Sequence, residues 1–194
     1  MIQPVERDEH ARLHWLETIG RFDPERLVFV DESGTHTAFT RLYARAMRGE
    51  RAFGSAPRSR GRIQTLIAAS SLSGVIADFV IEGGTSGDVF VAFVEQVLVP
   101  SLKVGSVVVL DNLGAHKRPE VKVLIEAAGC ELVFLPAYSP DFNPIESLFA
   151  WLKVRLRSLR ARSVEALLDG IGVAHRVESS VLARGWFTGC GYDV

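Results

Sequence analysis

Cysteine is scarce in this sequence. Only Cys130 and Cys190 are present, sixty positions apart, and neither belongs to a Cys-x-x-Cys or Cys/His pairing. Two isolated thiols do not make a disulfide framework, and a zinc site would need more sulfur or imidazole ligands at close spacing. The sequence therefore predicts a protein of a reducing compartment without a zinc site.

Long hydrophobic runs are also missing. The longest apolar stretches, such as Val107–Leu110, have the length of buried strands and fall far short of the ~20 residues of a membrane span. The polar segment from Met1 to His10 lacks the hydrophobic region of a secretory signal. With 194 residues, 47% of them hydrophobic, the chain can bury one domain core. We expect a globular cytoplasmic protein that has no membrane partner.

Net charge is nearly absent, at −1, whereas domains that bind nucleic acid are usually basic. The charges are nevertheless unevenly placed, with seven arginines and one acid between positions 41 and 62, and five basic residues and no acid between 153 and 162. Most such runs are solvated faces. Two of them in a nearly neutral chain predict a surface that binds the DNA backbone. The candidate residues are Arg41, Arg45, Arg48, Lys153, Arg155, Arg157 and Arg160.

Hydrophobic periodicity predicts an α/β chain in the order β-β-β-α-β-α-β-α, in which antiparallel strands precede helical crossovers to parallel strands. A helix over residues 5–19, with Leu13, Trp15 and Leu16 on its apolar side, comes before them. The predicted strands cover 27–30, 63–69, 75–81, 106–110 and 131–135, and residues 36–47 are a further, partly exposed candidate. The predicted helices cover 85–99, 119–128, 144–158 and 163–177.

Three carboxylates stand at the ends of predicted elements. Asp31 follows the first strand, Asp111 follows the strand over 106–110, and Glu146 lies in the first turn of the next helix. Ligands and reactive groups collect at strand ends in α/β sheets. Each residue also has a structural alternative: the aspartates are common turn residues, and Glu146 could complete a capping box with Asn143.

Three converging carboxylates suit phosphodiester chemistry. Two Mg²⁺ ions can stabilise the attacking and the leaving oxygen of an in-line displacement, and Mg²⁺ prefers hard oxygen ligands. Competing catalytic motifs are absent, and the glycine-rich stretch from Gly83 to Gly87 lacks the lysine of a phosphate-binding loop. The sequence therefore favours metal-dependent cleavage or transfer of nucleic-acid strands.

Three motifs resemble the signatures of bacterial insertion-sequence transposases of the mariner superfamily, and most closely the IS six-thirty family, a DDE-type group. They are Asp31-Glu32-Ser33-Gly34, the stretch from Asp111 to Lys117, and the stretch from Tyr138 to Glu146. Thirty-four residues separate Asp111 from Glu146, which is the gap typical of that family. The similarity runs from roughly Asp23 to Val194.

The resemblance implies a ribonuclease-H-like fold with a five-stranded mixed sheet flanked by helices, over residues 23–194, preceded by a helix or linker remnant over 1–22. It implies that Asp31 bridges two Mg²⁺ or Mn²⁺ ions, while Asp111 and Glu146 each hold one. Asn112, His116 and Asn143 fall on motif positions from which they would orient the carboxylates or the substrate. His116 could instead cap the helix that follows it.

The resemblance also bears on partners. Only about 26 residues precede the first predicted strand, too few for the helix-turn-helix modules that read the terminal inverted repeats of such elements. We expect double-stranded DNA as partner, a helix-turn-helix protein or a missing N-terminal region to recognise it, and a nucleoid-associated location when active. A homodimer is a further hypothesis. The hypotheses are an active transposase catalytic domain, a catalytically silent truncated copy that regulates transposition, and a stand-alone nuclease of the same fold.

Overall fold

One mixed sheet organises the chain, which the computed structural model describes over residues 7–59, 61–177 and 180–194. Within those residues, five strands lie in the order β3-β2-β1-β4-β5. The strands are β1 Leu27–His36, β2 Ile63–Ser71, β3 Gly74–Glu82, β4 Val107–Leu110 and β5 Glu131–Phe134. The helices are α1 Glu9–Ile19, α2 Gly87–Phe93, a π-helical turn Val94–Leu98, α3 Val99–Ser101, α4 Pro119–Ala127, α5 Pro144–Leu159, α6 Val164–Val177 and α7 Ser180–Gly189.

The strand connections follow the predicted order. β1, β2 and β3 pair in antiparallel fashion, and the hairpin turn joins Ser71 to Gly74. β4 pairs with β1 and β5 pairs with β4, both in parallel, each after a helical crossover. The five-stranded mixed sheet flanked by helices is thereby confirmed.

β1 is longer than predicted, because it continues through Asp31 to His36. Its parallel pairing with β4 ends at Phe29, whereas its antiparallel pairing with β2 continues until His36 faces Ile63. The expectation that the strand ends at Asp31 was wrong, since backbone pairing with β2 carries the strand past its apolar residues. Asp31 still lies where β4 has ended.

Residues 37–62 do not contain the strand suggested for 36–47. In the described part of this stretch there is no helix or strand. The prediction was wrong, because none of the strand pairings in the described part of the sheet includes a residue of this stretch. Several of its large apolar side chains face solvent, including Tyr43 and Phe53. We call residues 37–62 the arginine-rich segment.

Two hydrophobic clusters cover the two faces of the sheet. Leu27 and Phe29 of β1 face a cluster to which α1, α5, α6 and α7 contribute. Val28 and Val30 face the other cluster, which α2, the π-helical turn and α4 complete. Successive strand residues point to opposite faces. Asp31 therefore projects on the α5 face, and Glu32 on the α2 face.

The N-terminal helix packs differently from the prediction. α1 buries Arg12, Trp15 and Ile19, whereas Leu13 and Leu16 are exposed. The inward stripe follows the spacing of three and four residues, and Leu13 and Leu16 lie off that stripe. Trp15 and Ile19 belong to the same cluster as Leu27 and Phe29, so α1 packs against the sheet.

The remaining predicted helices are confirmed with small changes at their ends. The helix that begins after Ser86 passes through Pro100 to Ser101, with a π-helical turn before the proline, so Pro100 does not end it. Ser163 accepts a hydrogen bond from Ala166 N at the start of α6. α7 was not predicted as a helix. None of the described helices is long and apolar enough to cross a membrane.

Candidate active site

The three predicted carboxylates line one open cavity of about 450 Å³. Asp31 reaches it from β1, beyond the point where β4 stops pairing. Asp111 follows β4, and Glu146 lies in the first turn of α5. The loop after β5 forms the opposite wall. The lining residues are Asp31, Asp111, Asn112, Leu113, Leu135, Pro136, Ala137, Tyr138, Ser139, Pro140, Asn143 and Glu146.

Asp31 is partly buried and held at both oxygens. Oδ1 accepts from the backbone N–H of Glu32 at 2.7 Å, and Oδ2 accepts from Asn143 Nδ2 at 3.0 Å. Burial raises the pKa of Asp31 from its ordinary 3.8 to about 7. The neighbouring charges of Asp111 and Glu146 contribute to this rise in pKa, and the hydrogen bond from the Glu32 backbone opposes it. Such a carboxylate is poised to gain from a nearby positive charge.

Asp111 is held by a buried histidine. His116 is 0% exposed, its Nδ1 lies 2.5 Å from Asp111 Oδ1, and its Nε2 lies 3.0 Å from Glu32 Oε2. Burial alone would lower the pKa of His116, but the hydrogen bonds with Asp111 and Glu32 raise it to about 9. His116 is therefore an imidazolium between two carboxylates, hydrogen-bonded through Nε2 to Glu32 and in ion-pair contact through Nδ1 with Asp111.

The same contact keeps Asp111 ionised. Burial favours the neutral acid, but hydrogen bonds from His116 and from the Leu113 backbone lower the pKa of Asp111 below its ordinary value. The His116 ring packs 4.2 Å from the Phe90 ring of α2, measured between centroids. His116 does not cap a helix, because α4 begins at Pro119 with Arg118 as its N-cap.

Sequence reasoning missed Glu32 as part of this arrangement. The signal was present: Glu32 follows Asp31 on a strand, so it had to face the opposite side of the sheet. That side is where α2 and His116 lie. The chain from Glu32 through His116 to Asp111 thus reaches the carboxylate site from behind the sheet.

Asn143 does not form the capping box that we considered for α5. It precedes the helix, but its side chain makes no capping hydrogen bond, and its backbone N–H donates to Pro140 O at 3.0 Å. Its amide holds Asp31 instead. Among the described residues, Asn143 Oδ1 is buried without a hydrogen-bond partner. The Glu146 carboxylate is exposed and has no hydrogen bond or ion pair in the part of the chain described.

Asn112 has a different task from Asn143. Its exposed side chain lines the cavity, and Nδ2 donates to the carbonyl of Leu135, just beyond β5. This hydrogen bond joins the loop after β4 to the loop after β5. Asn112 thereby shapes the wall of the cavity and does not contact a carboxylate of the site.

The sequence of the chain matches a known protein family. Residues 26–168, well over half of the chain, match the family described as DDE superfamily endonuclease. The chain belongs to the DDE superfamily endonucleases. The resemblance seen in the three motifs is confirmed at this level, and the narrower IS six-thirty assignment stays a prediction. No curated protein sequence matches the chain significantly.

Solved structures share the fold of this endonuclease. The Mos1 transposase paired-end complex with left transposon end has a TM-score of 0.78 and 21% identity, over 98% of this chain and 61% of that one. The mariner Mos1 paired-end complex with Mg has a TM-score of 0.76 and 18% identity, over 98% and 63%. The catalytic domain of Mos1 mariner transposase has a TM-score of 0.64 and 17% identity, over 98% and 91%. The endonuclease chain thus spans about three fifths of the length of the longer Mos1 chains.

The residues of the endonuclease site suit a divalent cation. Among the described residues, no three His, Cys, Asp or Glu side chains are close enough together to cage an ion without adjustment. The donor chemistry nevertheless fits, because the cavity presents hard carboxylate oxygens, one of them on a partly buried aspartate among like charges. The unpartnered Oδ1 of Asn143 is a further oxygen beside Asp31.

The two basic clusters meet beside α5. Arg41, Leu42 and Tyr43 line a groove of about 360 Å³ together with Val154, Arg157 and Ser158. Arg155 stacks over Trp151 at 4.4 Å, and Arg157 lies 5.2 Å from the centre of the Phe39 ring. In the described residues, Arg41, Arg45, Arg48, Lys153 and Arg160 make no ion pair.

Arg162 serves a structural purpose. It donates to the carbonyl oxygens of Thr37 and Phe39 at 2.8 and 2.9 Å, which ties the base of the arginine-rich segment to the end of α5. This anchor brings the two clusters together. Arg60 lies outside the described residues.

Proposed function

We propose that this chain is the catalytic domain of a transposase that cleaves DNA strands at the ends of a mobile element and transfers them to a target. The observation that carries the proposal is that Asp31, Asp111 and Glu146 line one cavity in a member of the DDE superfamily endonucleases. The three carboxylates are intact, and contacts with Asn143 and His116 hold two of them, which favours an active domain over a catalytically silent copy.

Asp31, Asp111 and Glu146 are the proposed ligands of two Mg²⁺ or Mn²⁺ ions, and solved Mos1 complexes are described with Mn or with Mg. When bound, such ions supply positive charge that stabilises the attacking and leaving oxygens of a phosphoryl transfer. The chain's own residues orient these ligands. Asn143 holds Asp31, and His116 holds Asp111 in its ionised form.

The proposed substrate is double-stranded DNA, and one related Mos1 structure contains a left transposon end. The arginine-rich segment and the basic side of α5 would contact phosphates, through Arg41, Arg45, Arg48, Lys153, Arg155, Arg157 and Arg160. Phosphate contacts position DNA without reading its sequence. A helix-turn-helix partner or N-terminal region would read the terminal repeats. A homodimer and a cytoplasmic, nucleoid-associated location also stay predictions.

A plasmid-nicking assay tests the catalytic proposal without knowledge of the element ends. The wild-type chain should nick supercoiled DNA in Mn²⁺ and be inactive when the metal is chelated. Nicking by wild type that persists in excess chelator would contradict the proposal. For the recognition partner, a helix-turn-helix reading frame in the DNA just upstream would support a separately encoded or frameshifted half.

A further inference from the structure

A buried arginine on α1 contacts the turn that precedes Glu146. Arg12 is 6% exposed, and its two Nη atoms donate to the carboxylate of Asp141 over 3.0 and 2.6 Å. Its guanidinium also lies 3.9 Å from the centre of the Phe142 ring. A bidentate arginine–carboxylate pair stacked on an aromatic ring fixes orientation and not distance alone. Arg12 therefore holds two consecutive residues of one turn.

That turn leads directly into the carboxylate site. Asp141 and Phe142 belong to the short 3-10 helix Pro140–Phe142, and the next residue, Asn143, donates to Asp31. The backbone N–H of Glu146 donates to Asn143 O at 3.1 Å. A displacement of the turn would therefore move Asn143 and Glu146 together, relative to Asp31.

The residues after α7 secure the same turn from another direction. Tyr192 Oη donates to the carbonyl of Phe142 at 2.7 Å, and its ring lies 5.3 Å from that of Phe29 in β1. Arg12 and Tyr192 both lie outside residues 26–168, the stretch that matches the endonuclease family. Elements on either side of that stretch thus converge on the turn that presents Asn143 and Glu146.

We propose that Arg12 is a positioning residue of the metal site. Through Asp141 it fixes the turn, so that Asn143 and Glu146 meet Asp31 in an arrangement that binds a divalent ion. The inference rests on the proposed metal-dependent function. Arg12 has no hydrogen bond or ion pair with any of the three carboxylates that line the cavity, among the described residues. Its loss should therefore weaken metal binding through geometry alone.

A second arginine provides a matched control. Arg26 donates to Glu131 over 2.8 Å, and its guanidinium lies 5.6 Å from the centre of the Phe22 ring. This pair sits where β1 and β5 begin, whereas Asp31 lies further along β1 and the loop that lines the cavity follows the end of β5. If Arg12 merely anchored α1, substitutions of Arg12 and of Arg26 would both lower the melting temperature and leave metal affinity unchanged.

The experiment is a calorimetric Mn²⁺ titration of the full chain, with the metal-free melting temperature of each variant recorded separately. The variants are Arg12→Ala, Arg12→Lys, Asp141→Asn, Arg26→Ala and, as a reference for a lost ligand, Glu146→Gln. We expect Mn²⁺ affinity to fall roughly 10-fold in Arg12→Ala and Asp141→Asn, as for other residues that support metal ligands. Arg26→Ala should bind Mn²⁺ like wild type.

Arg12→Lys is the control for a folding defect in Arg12→Ala. It keeps the positive charge but loses the two-pronged contact, so it should fold and still bind Mn²⁺ more weakly than wild type. Wild-type affinity in Arg12→Lys and Asp141→Asn, beside a clear loss in Glu146→Gln, would overturn the inference. A wild-type chain that binds no Mn²⁺ would instead overturn the proposed function.

Discussion

The carboxylate cavity and the arginine-rich segment carry opposite charges and are built in opposite ways. In the cavity, Asp31 and Asp111 are held by hydrogen bonds from Asn143, His116 and the backbone. In the segment, the described part of residues 37–62 has no helix or strand, and Arg41, Arg45 and Arg48 are exposed. The cavity holds two of its three carboxylates through hydrogen bonds, whereas in the described part of the segment these three arginines are exposed and make no ion pair.

This difference matches two chemical requirements. Phosphoryl transfer needs ligands at fixed positions, because a small displacement of a supporting group costs much of the catalytic effect. Binding of a phosphate backbone needs charge at the surface and tolerates many side-chain positions. The anchor formed by Arg162 joins the base of the segment to the residues that follow α5, the helix that carries Glu146 in its first turn.

The largest loss of activity is expected from substitutions of the three carboxylates that line the cavity. Asp31→Asn, Asp111→Asn and Glu146→Gln should each reduce Mn²⁺-dependent plasmid nicking on the order of 100-fold or more, as when one electrostatic support of a transition state is removed. Combining two of them should cost little more, because the residues act as a unit. The control is Glu131→Gln, because Glu131 lies at the start of β5 and the cavity-lining loop follows the end of that strand. Near-normal nicking by any of the three variants would refute the assignment.

A second prediction concerns the contact of His116 with Glu32, on the α2 face of the sheet. The pKa of His116 is about 9 in the folded protein against an ordinary 6.5. The folded state holds this proton more tightly, so the stabilisation is complete below pH 6.5 and is lost as pH rises through 9. Glu32→Gln should lower the pKa of His116. It should also lower the free energy of unfolding by about 2 kcal/mol at pH 6.

Urea unfolding of wild type and Glu32→Gln at a series of pH values measures this. The two curves should approach each other as pH passes 9, because His116 then loses its charge in both proteins. Glu17→Gln, an exposed residue of α1, controls for the loss of a negative charge. A difference that stayed constant from pH 6 to pH 10 would show that the charge of His116 is not involved.

A smaller effect is expected from substitutions of the exposed basic residues of the surface. The chain should bind duplex DNA weakly and with little sequence preference, and Arg45→Ala or Lys153→Ala should reduce the slope of log K against log salt by about 1 each. Fluorescence anisotropy at several salt concentrations measures the slope. Arg118→Ala is the control, because Arg118 is already paired with Asp88 and Glu120. Tight, sequence-specific binding would reveal a recognition surface outside these clusters.

Much of the fold could be predicted from local patterns, and the errors have one cause. Strands such as β4 and helices such as α5 were predicted within a residue or two, since their apolar spacing depends on the residues themselves. The extension of β1 to His36 depends on pairing with β2, which no local pattern contains. The burial of Arg12 likewise depends on Asp141, a partner 129 positions away.

In the site, too, features that depend on local sequence could be predicted better than contacts between distant residues. Asp31, Asp111 and Glu146 could be singled out because each stands beside a recognisable element and within a motif. The resemblance also gave His116 and Asn143 an orienting role, but Glu32 could not be singled out, because it reaches Asp111 only through His116, across the sheet from the cavity. Asn143 was correctly placed before α5, but its position in the sequence did not show that its side-chain partner is Asp31.

One measurement tests most directly whether the three carboxylates converge to bind metal. Burial and like charges raise the pKa of Asp31 to about 7 from 3.8, so the metal-free fold binds this proton more tightly than the unfolded chain. Its stability should therefore fall as pH rises from about 4 to about 7, by no more than about 4 kcal/mol. Asp31→Asn removes this penalty, and the amide of Asn143 can turn over to accept from the new side chain.

Thermal melts of wild type and Asp31→Asn at pH 8, with and without Mn²⁺, decide the matter. Without metal, Asp31→Asn should melt at a higher temperature than wild type. Added Mn²⁺ should raise the melting temperature of wild type in proportion to ln(1 + [Mn²⁺]/Kd) and leave Asp31→Asn nearly unchanged. A metal-free Asp31→Asn that is less stable than wild type, together with no response of wild type to Mn²⁺, would contradict the account.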